Sequence, residues 1–125
     1  MRGRWIVAGA LTALVVGLAP ATEAQAPAKI TRSGWSCEAP SDSGQVSCKG
    51  TLKGIRADTY REAIDDALLY LHRYSRSNGG YVTLFGVAGQ NPKPGRWTMH
   101  MVKFAYGPEP STWIQPKIDE LLAQR

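Results

Sequence analysis

The sequence predicts a two-layer α+β fold. An antiparallel sheet of about four strands carries two helices on one face, in the order ββαββα, and one disulfide closes the structure. Three observations predict it. Residues 59–77 repeat apolar side chains at helical spacing. Residues 81–106 read as two strands around a segment rich in Pro and Gly. The chain has only two cysteines, Cys37 and Cys48, and they flank a run of turn formers.

Before those elements can be placed, the first segment has to be set aside. Residues 1–24 read as a secretory signal peptide. Arg2 and Arg4 form a positive start, Ile6 to Ala19 is an uncharged apolar run, and small residues surround Pro20. Cleavage is expected after Ala21 or Ala24. The apolar run is shorter than the roughly 20 residues a spanning helix needs, so a membrane anchor is the weaker reading. Of 125 residues at net +5, about 100 at net +4 then remain once Arg2, Arg4 and Glu23 are removed. Residues 25–30 read as a flexible lead-in, and residues 31–125 as a single domain. At 20% charged and 43% hydrophobic, the chain has the composition of a globular protein rather than a disordered one.

Export gives the cysteines their meaning. In an oxidising compartment, two cysteines most simply form one disulfide. Trp35-Ser36-Cys37 and Val46-Ser47-Cys48 read as strand pieces, and Ala39 to Gly44 consists almost wholly of turn formers. A hairpin about that turn sets Cys37 opposite Cys48, close enough to bridge. The closed loop would contribute roughly 3 kcal/mol in the chain-entropy model. The spacing is no redox motif, and zinc would need two more ligands. Gly50 and Gly54 mark a bulge or an end in the second strand.

The first helix runs from Thr59 to about Ser77. Thr59 and Glu62 make a capping box, with Asp58 at the positive end of the helix dipole. Tyr60, Ala63, Ile64, Ala67, Leu68, Leu71 and Tyr74 share one face. Arg61, Glu62, Asp65, Asp66, His72, Arg73 and Arg76 occupy the other. Asn78-Gly79-Gly80 ends the helix. Tyr81 to Val87 reads as a strand, residues 88–95 as a loop, and Arg96 to Tyr106 as the last strand. A second helix starts near Gln115, with Pro116 in its first turn and Ile114, Ile118, Leu121 and Leu122 as its apolar stripe.

Two helices leave one sheet face uncovered, and that face is the expected site of action. Strand parity groups Val82, Leu84, Trp97, Met99 and Met101 as the core face. It puts Tyr81, Thr83, Phe85, Thr98, His100, Val102 and Phe104 on the open one. Lys93, Arg96 and Lys103 rim it. The expected binding residues are therefore Lys93, Arg96, Trp97, His100, Phe85 and Phe104. Arg and Trp are frequent interface anchors, and Arg96-Trp97 follows the 88–95 loop.

Catalytic candidates are few. His72 stands two turns from Asp65, too far for direct pairing. His100 is the one polar ring inside a strand, and with Lys103 or Arg96 it could serve acid–base chemistry. Nothing in the sequence brings His72 near His100. The chain has no G-x-S-x-G, H-E-x-x-H, P-loop or G-x-G-x-x-G. No cofactor or metal is implied.

The leading expectation is a small periplasmic or secreted binding or inhibitor-like protein. It would act on a protein or ligand outside the cytoplasm through the open sheet face and the 88–97 segment. The alternatives are a small basic nuclease-like hydrolase using His100 and an anionic-surface binder. The basic residues are spread rather than run together, a pattern that serves solubility and weakens the anionic-surface reading, and nucleic acid is not an expected partner. Membrane association is expected only through the signal segment or weak anionic contact.

Overall fold

A computed structural model of the protein describes residues 29–125. The signal-peptide reading and most of the lead-in lie outside the described residues. At the end of the lead-in, Ile30 packs against the core.

The chain forms β1 (Thr31–Cys37), β2 (Val46–Ile55), α1 (Tyr60–Ser77), β3 (Tyr81–Gly86), β4 (Gly89–Lys93), β5 (Arg96–Gly107) and α2 (Gln115–Ala123). The expected α+β order is present, but the antiparallel sheet has five strands rather than about four. The sheet runs β1-β2-β5-β3, and β4 pairs with the same edge of β5 below β3. The added strand is the segment read as a loop at 88–95. Its Pro92 lacks an N–H to donate, yet β4 lies at the sheet edge, where that donor has no partner to miss. Pro94 and Gly95 turn the chain into β5. Gly95 has φ 72°, and proline followed by a positive-φ glycine is the signature of a type II turn.

The first hairpin forms as expected, with Cys37 opposite Cys48 and the disulfide closed. The turn is held by the Gly44 N–H donating to Ser41 O at 2.9 Å and the Ser41 N–H donating to Gln45 O at 2.9 Å. Helix α1 also has the expected ends. The Glu62 N–H donates to Thr59 Oγ1, and the Thr59 N–H donates back to Glu62 Oε1, each at 3.2 Å. At the far end the Gly80 N–H reaches Ser75 O and the Gly79 N–H reaches Arg76 O, the paired bonds of a Schellman motif. Gly79 takes the positive φ this requires, 79°.

One face of the sheet packs beneath α1. Leu52, Ile55, Val82, Met99, Val102 and Phe104 from the strands meet Ala63, Ala67, Leu68 and Leu71 from α1, with Ile118 and Leu121 of α2 completing the core. Beside them Trp35, Tyr74, Phe104 and Tyr106 form an aromatic cluster with ring centroids 5.7–6.0 Å apart. In α2, Leu122 does not join the core stripe and is 43% exposed.

The parity expected for the second hairpin fails partway along. In β5, Gly50 opposes Val102 but Leu52 opposes Met99, so two residues, His100 and Met101, face Thr51 alone. This is a β-bulge, and Met101 adopts φ 52° within it. The extra residue lets Met99 and Val102 both point into the core and turns Met101 outward. A second bulge at Thr83 turns Leu84 outward and Phe85 inward. Leu84 and Met101, expected in the core, are 52% and 58% exposed, while Val102 and Phe104, expected on the open face, are fully buried.

Candidate functional site

The open face is made by strand alternation, and the register shows what it carries. Ser36 of β1 pairs with Lys49 of β2, Lys49 with Lys103 of β5, and Lys103 with Gly86 of β3. In the next row Ser47 opposes Ala105, and Ala105 opposes Leu84, while the Glu38 N–H donates to Ser47 O at 2.8 Å. On the other side of the lysine row, Ser33 and Thr51 lead to the His100–Met101 bulge and Gly89. Thr31, Lys53, Thr98 and Asn91 form a further row, and Arg96 opposes Lys93 at the hairpin end.

Lys49, Lys53, Lys93, Arg96 and Lys103 therefore share one face, which no element covers among the described residues. Two of the pairings on it, Lys49 with Lys103 and Lys93 with Arg96, set like charges directly opposite each other. Such pairs disfavour the sheet. Among the described residues, the ion pairs are Lys117–Glu120 within α2 and Arg125–Asp66, which joins the segment after α2 to α1. Neither neutralises this face.

Small and large side chains alternate here to shape a depression of about 330 Å³. The small residues Ser36, Ser47 and Ala105 line it together with the larger Glu38, Gln45, Lys49, Leu84 and Lys103, and the disulfide of Cys37 and Cys48 borders it. Gln45 is fixed from the side, since Thr83 Oγ1 donates to its Oε1 at 3.0 Å.

The expected site residues divide between the two faces. Lys93, Arg96 and His100 lie on the open face. Phe85 and Phe104 do not. Phe104 is buried in the aromatic cluster, and Phe85 packs against the core from the edge strand. Trp97 is also turned toward the helices. Its Nε1 donates to Ala57 O at 2.9 Å and its ring lies 5.8 Å from that of Tyr60, so it fastens the hairpin to the start of α1.

His72 and His100 are not brought together. His72 lies half-buried in the helical layer, where the Asp119 carboxylate of α2 and the guanidinium groups of Arg76 and Arg73 act on it. His100 is on the opposite side of the sheet.

Sequence reasoning passed over Ser36, Glu38, Gln45, Ser47, Lys49 and Lys53 as site residues. The readable signal was Ser47-Lys49-Thr51-Lys53, polar at every second position against Val46, Cys48 and Leu52.

Among the described residues no group of His, Cys, Asp and Glu is placed to hold a metal ion, and no helix is long and apolar enough to cross a membrane. Comparison with protein-family models, curated proteins and solved structures finds no match to this chain.

Proposed function

We propose that this is an exported binding protein, inhibitor-like in its small stapled scaffold, that docks an acidic partner on its open sheet face. The 89–97 hairpin forms one end of the contact. The observation that carries the reading is the pair of like-charge cross-strand pairings, Lys49–Lys103 and Lys93–Arg96, on a face that no element covers among the described residues. A fold gains nothing from directly opposed cations. A partner's carboxylates between them would convert both repulsions into charge-assisted hydrogen bonds. The disulfide is consistent with work outside the cytoplasm.

The test compares two charge-reversal pairs. Lys49→Glu with Lys103→Glu alters the open face, and Arg61→Glu with Arg73→Glu makes the same change in net charge on the exposed side of α1. Binding to immobilised polyglutamate, and recovery of partners from the exported fraction, should fall sharply for the first pair and little for the second. Equal loss from both would mean that total charge alone governs binding, and would reject the reading.

A further inference from the structure

The depression between Lys49 and Lys103 is more selective than a general basic face. We infer that it is a binding pocket for a monocarboxylate bearing an apolar substituent, such as the C-terminal residue of a peptide; this deepens the proposed docking function and rests on it.

The charge balance sets the ligand's charge. Lys49, Lys103 and Glu38 line the depression, so two cations against one carboxylate leave a single positive excess. A single carboxylate satisfies that excess. A phosphate or sulfate dianion would meet Glu38 unfavourably. The ligand's apolar part is set by Ala105 and by Leu84, a half-exposed leucine, both lining the depression. The hydroxyls of Ser36 and Ser47 line the same space and can donate to a carboxylate oxygen or a backbone carbonyl. The volume, about 330 Å³, falls within the range of small-molecule sites. The disulfide joins β1 to β2 beside the pocket, and the Thr83 hydroxyl holds Gln45.

The experiment is a titration of the isotope-labelled protein followed by backbone amide resonances, with N-acetyl-leucine, hexanoate and inorganic phosphate as probes. Saturable shifts centred on Ser47, Lys49, Lys103 and Ala105 are expected with N-acetyl-leucine. In Lys49→Gln with Lys103→Gln the affinity should fall roughly tenfold or more, as loss of a charge-assisted hydrogen bond implies. That variant should melt no lower than the wild type, because it removes a like-charge pair. Equal binding of hexanoate would support a free carboxylic acid as the natural ligand, and preference for N-acetyl-leucine a chain end. Tighter binding of phosphate, shifts spread over the helical layer, or an unchanged affinity in the double variant would overturn the inference. If polyglutamate still binds the open face while neither monocarboxylate does, this pocket assignment fails and the docking function stands.

Discussion

Gly50 is the residue on which the outer part of the sheet turns. Trp35 of β1 lies flat across it, and a Cβ at position 50 would fall on Trp35 Cε3 and 2.9 Å from Trp35 Cα. Only glycine lets the indole reach Phe104, 5.7 Å away between centroids. The backbone of β1 answers with a bulge, where Gly34 takes φ 61° so that Gly34 and Trp35 together face Gly50. Because the obstruction involves backbone and not a flexible side-chain end, β1 would have to lift to admit a methyl group. Gly50→Ala is expected to cost about 2 kcal/mol, in the range of overpacked cores, read from the midpoint of urea denaturation. Gly86→Ala is the matched control, since nothing lies within 4 Å of a Cβ there. Equal midpoints for the two variants would show that the Trp35 contact is not limiting.

Elements differ in how far their sequence announces them, and the reason is the range of the interactions that define them. Helix α1 was legible to the residue. Its capping box and its Gly79-Gly80 ending are contacts within a few positions of one another. The inward face of β5 was not, because the bulge at His100–Met101 exists only against β2. Nor was β4, whose Pro and Gly content resembles a loop unless its place at the sheet edge is known. The packing of α2 on α1 was equally hidden, and it changes what His72 is. Burial, with help from Arg76 and Arg73 and against Asp119, pushes the His72 imidazole below its usual value of 6.5. Its Nδ1 is buried without a hydrogen-bond partner among the described residues. A histidine with a lowered folded-state pKa favours the folded state while neutral. That contribution is complete above about pH 6.5 and declines as pH falls through the lower folded-state value. Thermal melts at pH 7.5 and pH 5 should therefore differ more for the wild type than for His72→Gln. An identical pH dependence in the two proteins would show that the α1–α2 contact does not sense this proton.

At the scale of the whole molecule, the fold gathers cations on one sheet face and then has to hold that face together. Five cations occupy the open sheet face, whereas in the helical layer Asp58, Glu62, Asp65, Asp66, Asp119 and Glu120 are mixed with Arg61, Arg73, Arg76, Lys117 and Arg125. The like-charge pairs on this face disfavour the sheet, and β1 is one of the weakly held strands beside them. It is an edge strand, it is bulged, and its residues are mostly exposed. Its attachments are pairing to β2, the Trp35 contact, the Arg32 guanidinium 4.7 Å over the Tyr74 ring, and the Cys37–Cys48 disulfide. The disulfide lies at the turn end of the strand, beside the depression, so it secures the part of β1 that contributes Ser36 to the site. A loop of this size predicts a loss of roughly 3 kcal/mol on reduction. For a domain of this length that corresponds to a fall in Tm of about 12–24 °C. Replacing both cysteines with serine should reproduce it. Hydrogen exchange in the double variant should lose protection in β1 first, with α1 and β5 retained until global unfolding. If protection fell uniformly across the chain, the disulfide would be stabilising the molecule as a whole and not restraining β1 at the edge of the site.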